Sequence, residues 1–493
     1  MTNAKHLPSP SDEADQASRD KWRAFTAIAI SFVTMVFSMS MVFVALSSIA
    51  DDFGVTLRAV SWVVIVQSLV ISALMMPMGR IADIVGRRRV HLIGLVLFAL
   101  GSLCVAAAPT FPLMIAARVL MSAGNAMGQA VGTAMVVAVF PPEERGKALG
   151  SQTSVVAVGA AMGPIVGGFV LQVLPWRALF LMLVPPLVIA FLVGQRFLDE
   201  AVVSSSPGRA DQPRPGFDWG GAVLSSVSIT LLVLTVSNPW AAAWSSPLII
   251  GGCVAMVVLL AAFVLWELRN AAPMLQLRFF ASRTFSLAVL SRTVGFIGYT
   301  AISFLMPIFL ISVRGLREGT TGAVLFLSSL GMGLAANQAG RRADRIGERP
   351  LFLGGFLLQG ITMAALVFVG HGSPIWLVMA LLFSSGLAFG FWNVPNGSAI
   401  LGSVPSEYLG VVGAFMNLTR NIGNVLGQAL ASAIVVGVMA AKGFDLPLSK
   451  IGSTVGASAA FLSGWRTAFL LVTLVSAGAF AAAWFTHVAP ESA

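Results

Sequence analysis

The chain is expected to be an all-α polytopic membrane protein of about fourteen transmembrane helices, built as two six-helix pseudo-symmetric halves plus an inserted two-helix hairpin. Three observations predict this. Of 493 residues, 57% are hydrophobic and only 10% charged, with a mean hydropathy of +0.89, whereas an ordinary soluble chain carries about 25% charged residues. The apolar residues fall in runs of roughly 20, the length that crosses a bilayer as helix. The charged run Gly79-Arg80-Ile81-Ala82-Asp83-Ile84-Val85-Gly86-Arg87-Arg88-Arg89 recurs in degraded form as Gly340-Arg341-Arg342-Ala343-Asp344-Arg345-Ile346-Gly347-Glu348-Arg349-Pro350, each copy between two apolar runs. A charged turn repeated in this way marks two homologous halves with a site between them.

In chain order, residues 1–24 are polar and lack the basic start, apolar run and small-residue cleavage site of a signal peptide, so they are expected to be a disordered cytoplasmic tail. Spans are expected near 25–46, 60–78, 90–108, 112–139, 148–173 and 176–197, making residues 25–200 the N-terminal half. Ser204 to Gly216, with Pro207, Pro213 and Pro215, reads as a flexible linker. It opens a segment, 201–283, holding the hairpin helices near 217–237 and 247–266. Spans near 284–311, 320–340, 350–369, 374–396, 408–439 and 465–487 form the C-terminal half, 284–488, with a short cytoplasmic end at 489–493. Pro and Gly punctuate most of the short connections.

The net charge of +10 does not point to nucleic acid, because the basic residues lie in turns at the ends of spans. Arg80, Arg87, Arg88, Arg89, Arg145, Lys147, Arg341, Arg342 and Arg345 fall in alternate turns, against a sparse opposite set such as Arg177, Arg314 and Arg466. That bias puts both termini in the cytoplasm. Cys104 and Cys253 each stand alone in an apolar run and are expected to be small core residues, so no disulfide framework exists and no metal-ligand spacing is present. Trp176, Trp376 and Trp465 are expected to anchor the interfaces. No nucleotide-binding loop or nucleophile with its base is found, so neither direct nucleotide drive nor enzyme chemistry is expected.

The repeat recurs at further anchors. Pro142-Glu143-Glu144 matches Pro405-Ser406-Glu407, Gly159 and Gly163 match Gly423 and Gly427, and Trp176-Arg177 matches Trp465-Arg466. With these in view, nearly the whole chain from residue 25 resembles a major facilitator superfamily transporter, and the layout is similar to its fourteen-span drug:proton antiporter group. The hallmark is the loop of Gly79, Asp83, Gly86, Arg87 and Arg88 with its second copy at Gly340, Asp344 and Gly347. Arg118 with Gly124 matches the fourth-helix pattern. Gly159, Gly163, Pro164, Gly167 and Gly168 match the fifth-helix pattern that the family associates with export. The resemblance implies a secondary transporter of the bacterial inner membrane, exporting amphipathic small molecules by alternating access and exchanging them for protons. Its partners would be the lipid bilayer, a small-molecule substrate and protons, with no cofactor and no nucleic acid. The alternative it leaves is a dedicated exporter of one endogenous anionic or neutral metabolite or lipid.

Physical reasoning attaches to each motif. Asp83 and Arg87 are four apart and can pair on one helical face, and the resemblance implies that their loop latches the halves in one state. The fifth-helix glycines make a smooth stripe for close packing, and Pro164 should bend that helix. Arg118, Arg292 and Arg420 fall inside spans, where an ionisable residue is a functional candidate, yet no Asp or Glu lies well inside any span. Related antiporters carry an acid in helix one where this chain has Ser38. Arg118 is therefore open to three readings: held by neutral groups such as Asn125, Gln129, Ser38 or backbone carbonyls, touching an anionic or carbonyl-bearing substrate, or joined to coupling through a rim acid. Arg420 with Asn417 gives a polar face that must point inward, and Arg292 is expected to snorkel. Ser38, Met41, Gln67, Tyr299, Trp392 and Asn393 are expected to line a soft, largely apolar cavity.

Overall fold

Helix is what a bilayer demands of a chain with so few charges, because each backbone N–H must find its acceptor within the same segment. The computed structural model describes residues 10–484, except 56, 61, 142–143, 201–202, 204–216, 239–241, 243–244, 271–272, 317, 406–407, 445–453 and 455; the side chains of residues 10–20, Phe43, Ser47, Leu57, Arg58, Pro164, Glu318, Gly319, Asp344, Gly410, Ala479, Ala482 and Ala483 also lie outside the description. The linker expected over Ser204 to Gly216 therefore falls outside the described residues. The long helices are α1 (Pro10–Phe53), α2 (Trp62–Val85), α3 (Arg87–Ala107), α4 (Phe111–Val139), α5 (Arg145–Val173) and α6 (Arg177–Phe197, interrupted after Leu181). The hairpin is α7 (Trp219–Ser237) and α8 (Pro247–Arg269). There follow α9 (Arg283–Ile308), α10 (Glu318–Ile346), α11 (Glu348–Val367), α12 (Ile375–Gly402), α13 (Leu409–Ala441) and α14 (Ala457–Trp484).

Thirteen of these are long and apolar enough to cross a membrane. The fourteenth, α4, is 29 residues long but interrupts its apolar run with Arg118, Asn125 and Gln129. About fourteen spans agrees with the sequence expectation. The tail departs from it: α1 is helical from Pro10 onward, through much of the stretch expected to be disordered. Phe25 is buried, and Trp22 meets Phe140 at 5.1 Å between ring centroids, tying α1 to the end of α4.

Local chemistry sets the helix ends. Asp218 caps α7 by accepting from the Gly221 N–H at 2.9 Å, and Asn238 ends it with φ 41°, in the left-handed region that Asn tolerates. Ser246 caps α8 just before Pro247 at the first helical position. Pro307 removes a backbone donor within α9, and the chain continues as a π-helical turn, Phe309–Val313. The repeated turn has the same backbone in both copies: Gly86 and Gly347 stand between their helices with φ of 114° and 82°, a region closed to most side chains.

Helices α1–α6 pack on one another, as do α9–α14, and the seam between the groups is formed by α5 on α10 and by α13 on α2 and α4. The glycine anchors of the repeat do equivalent jobs. Cβ atoms at Gly159 and Gly163 would stand 2.8 Å from the Val33 carbonyl oxygen and the Met41 nitrogen of α1. At Gly423 a Cβ would stand 2.9 Å from the Thr293 carbonyl oxygen of α9, and at Gly427 it would stand 3.0 Å from the Ile297 Cα. The hairpin lies across the seam: Ala222, Ile229 and Phe263 pack with Ile71 and Met75 of α2 and Val411 and Leu418 of α13. Its far side exposes Val254, Val257, Val258 and Leu265, which suits hydrocarbon rather than water.

Two expectations are corrected. Trp176 and Trp465 are 3% and 0% exposed, not interface anchors. Trp176 donates to Asp52 at 3.2 Å and Trp465 to the Leu366 carbonyl at 2.7 Å, so each indole pins two elements together inside the bundle. Cys104 and Cys253 are exposed on the outer surface rather than in the core. A short apolar residue suits either face of a helix bathed in lipid, so composition could not place them. Beside Trp176, Arg177 bonds Asp52 at 2.7 Å and holds its carboxyl below the usual range, so this contact weakens as pH falls through that lowered value.

Close packing makes a contrast testable by thermal unfolding of the purified protein. Gly163→Leu should lower stability by about 1–3 kcal/mol through overpacking against α1, while Gly168→Leu, with nothing within 4 Å of its Cβ, should be tolerated.

Candidate functional site

The loop between α2 and α3 forms the ion pair its spacing predicts. Arg87 donates to Asp83 Oδ1 from Nη2 at 3.1 Å and from Nε at 3.3 Å, and both side chains are 3% exposed. Arg87 Nη1 also donates to the Val203 carbonyl at 3.2 Å, and Arg88 Nη2 to the Gln195 carbonyl at 2.8 Å. The turn is thus tied to the exit of α6. Gly79 is buried in α2. In the second copy, Gly340 lies directly on α5, where a Cβ would come 3.2 Å from the Lys147 Cα. The Asp344 side chain lies outside the described residues, as does that of Pro164.

Contacts across the seam gather at the end of the bundle that carries these basic turns. A Cβ on Gly150 would meet the Ala336 carbonyl oxygen at 2.5 Å, and Ser154 donates to the Gly333 carbonyl at 3.0 Å. A Gly413 Cβ would come 3.5 Å from the Ala134 nitrogen. Further along α5, the glycine face of Gly159, Gly163 and Gly167 meets α1, and Val158, Ile165 and Phe169 are exposed.

Midway along, three guanidiniums sit among helices, and none pairs with a carboxylate among the described residues. Arg118 on α4 is 0% exposed. It donates to Gln67 Oε1 and to the Val63 carbonyl at 3.4 Å, both on α2, and lies 5.6 Å from the centre of the Phe180 ring. Neutral groups therefore hold Arg118: a backbone carbonyl, as expected, and Gln67 in place of Asn125, Gln129 or Ser38. Asn125 and Gln129 bond each other at 2.5 Å, and Ser38 donates to its own helix at the Met35 carbonyl, 2.7 Å away.

Gln129 faces the other half instead. Arg420 Nη2 donates to Gln129 Oε1, and Asn417 Nδ2 donates to the Gln129 carbonyl at 2.8 Å. Arg292 was expected to snorkel; it is 6% exposed and turned inward. It donates to Asn393 Oδ1 at 3.0 Å and to the Met416 carbonyl at 3.2 Å, and lies 5.1 Å from the centre of the Phe296 ring. Acceptors on α12 and α13 lie within reach of its fork, so two of its donors are satisfied without water. Sequence reasoning missed this contact because position near a span end cannot reveal what the facing helices present.

The expected cavity residues divide. Ser38, Met41 and Trp392 are fully buried, and Gln67 is engaged by Arg118, so they form core rather than lining. The reason is packing: α1 lies against the glycine face of α5, and Trp392 sits among Phe296, Phe356 and Phe389. Its indole Nε1 has no acceptor among the described residues. Tyr299, Asn393 and Arg420 are half-buried, and Tyr299 stacks on Phe389 at 4.4 Å. The centre therefore offers cationic and amide donors beside aromatic rings. No group of three metal-ligating side chains occurs among the described residues.

Gln129→Leu removes the acceptor that Arg420 bonds across the seam. Stability should fall by about 1–3 kcal/mol. A cysteine at Ala336, fully buried against α5, should react faster with a water-soluble maleimide in that background than in the parent chain.

Known proteins give the arrangement its family. Among relatives, the riboflavin transporter RibZ of Clostridioides difficile is 28% identical over 415 residues, covering 84% of this chain and 88% of that protein. The multidrug efflux pump LfrA of Mycolicibacterium smegmatis is 27% identical over 449 residues, covering 90% and 86%. The human organic anion transporter MFSD10 has a similar fold, with a TM-score of 0.62 at 16% identity over 92% of this chain and 99% of that one. The family model described as Major Facilitator Superfamily matches residues 27–428 and again 288–493. The chain is a multi-pass membrane protein that acts on small molecules as a transporter rather than an enzyme, and it belongs to the Major Facilitator Superfamily.

Proposed function

We propose that this transporter is a bacterial inner-membrane exporter of amphipathic small molecules, working by alternating access and driven by proton antiport, with both termini cytoplasmic. The carrying observation is the set of contacts across the seam, which close the basic end of the bundle. By the positive-inside bias that end is cytoplasmic, so the arrangement is the outward-facing one. Rocking α5 away from α10 and α13 away from α4 exposes the same central groups to the cytoplasm. The hallmark turn serves as a latch, with the Asp83–Arg87 pair holding the α2–α3 corner against the exit of α6. The fifth-helix glycines support export by letting α1 and α5 move as one packed pair.

The polar centre favours one substrate chemistry. Arg292 and Arg420 act on each other electrostatically, and neutral amides and carbonyls satisfy them. A planar amphiphile with an anionic or carbonyl-rich end would meet guanidiniums and stack on Tyr299 and Phe389. RibZ and MFSD10 bear names of that kind, a riboflavin and an organic anion transporter, while LfrA is named a multidrug pump.

The test is dye efflux from cells lacking their own pumps, comparing fluorescein (an aromatic anion) with ethidium (an aromatic cation), with and without a protonophore. Uncoupler-sensitive efflux of fluorescein above ethidium, lost in Arg420→Gln, is expected. Equal efflux of both dyes would refute the anionic preference, and efflux indifferent to the protonophore would refute antiport. Asp83→Asn should insert normally, as judged by membrane yield, and lose transport. Full transport by that variant would remove the latch.

A further inference from the structure

Two buried acids take no part in the cycle above. Asp218 caps α7 and Glu267 stands in the last turn of α8, and they are 6% and 3% exposed. One oxygen of each is occupied. Asp218 Oδ1 accepts from the Gly221 N–H and from Trp266 Nε1, each at 2.9 Å, and Glu267 Oε2 accepts from the Leu275 N–H at 3.3 Å. The other two, Asp218 Oδ2 and Glu267 Oε1, have no hydrogen-bond partner among the described residues. Both turn into the same small space, since each would collide with a Cβ on Gly221. Glycine at that position keeps the space open.

Among the described residues, the charged groups that act on Glu267 are Asp218 from within the hairpin and Arg80 from α2, beside Gly79 of the hallmark turn. Arg269 and Arg278 are exposed. What packs around the hairpin from α2 and α13 is apolar, Met75, Met76, Val411 and Leu418 among it. Two carboxylates in so dry a space repel each other strongly. A single proton shared between the unpartnered oxygens removes that repulsion and supplies the missing hydrogen bond. A divalent cation fits poorly, because it asks for about six oxygens, and two carboxylate oxygens beside a guanidinium do not make such a cage.

We propose that Asp218 and Glu267 share one proton and form a proton-binding site where the inserted hairpin meets the hallmark turn, supplying the acid that helix one lacks at Ser38. The proposal rests on the antiport reading. Loss of the proton to water breaks one carboxyl O–H bond and leaves two carboxylates turned into the same space beside Gly221. Their repulsion drives the end of α8 from the cap of α7. Because the hairpin lies across α2 and α13, that movement is felt at the seam.

The test uses the purified full-length chain. Infrared difference spectra between acidic and alkaline pH should show a protonated carboxyl band at neutral pH that disappears in Glu267→Gln and shifts in Asp218→Asn. A band unchanged in both variants would overturn the proposal. Both replacements keep shape and hydrogen bonding, so if one fails to insert the other decides. Transport by proteoliposomes separates this idea from the antiport reading, with fluorescein as the probe. If wild type responds to a pH gradient, Glu267→Gln should lose the response while keeping fluorescein exchange; an equal response in the variant overturns the coupling role. A wild type that moves fluorescein without regard to the gradient overturns antiport itself, and the infrared band then judges the proton site alone.

Discussion

A guanidinium among apolar helices must find acceptors, since leaving it bare costs several kcal/mol or more. Three such groups organise the centre of this protein. Arg118 reaches Gln67 and the Val63 carbonyl, which fixes α4 against α2. Arg292 reaches Asn393 and the Met416 carbonyl, which fixes α9 against α12 and α13. Arg420 reaches Gln129 across the seam, so the third requirement joins the two groups of helices. With no carboxylate in these contacts, each bond is made to a neutral dipole and can be exchanged for another without stranding an opposite charge. That suits a transporter, whose polar contacts have to form and break as the halves rock.

Close helix packing supplies the second constraint. In lipid no hydrophobic effect presses helices together, so association depends on how nearly backbones can approach. Gly159 and Gly163 bring α5 onto α1, and Gly423 and Gly427 bring α13 onto α9. At the seam, Gly150 and Gly340 let α5 and α10 touch backbone to backbone. The glycines thus define both the rigid pairs within each group and the surface on which the groups meet. The hairpin joins no repeat, and among the described residues it meets the bundle along α2 and α13.

Much of this was legible in the residues, and the misses have one cause. The repeat, the spans, the Asp83–Arg87 pair and the packing role of the glycines follow from spacing, because separations of three, four and seven residues fix which side chains share a helical face. What failed depended on the neighbour rather than on the helix itself. Arg292 was expected to escape to the interface and is buried; Trp176 and Trp465 were expected at the interface and are core; Ser38 and Trp392 were expected to line a cavity and pack away from it. The unpartnered oxygens of Asp218 and Glu267, 49 positions apart in sequence, converge on the space beside Gly221 only because α7 and α8 fold back as a hairpin.

The sequence by itself determined that this chain crosses a membrane as about fourteen helices, that its two groups of helices descend from one plan, and that basic residues mark one end. Composition and short-range periodicity suffice for that, since bilayer thickness sets helix length and the charge bias sets orientation. Tertiary structure alone decided which acceptor each buried arginine takes, which end of the seam is closed, and where two carboxyl groups converge. Those outcomes depend on which faces of distant helices meet, and a one-dimensional pattern that records the faces does not record their partners.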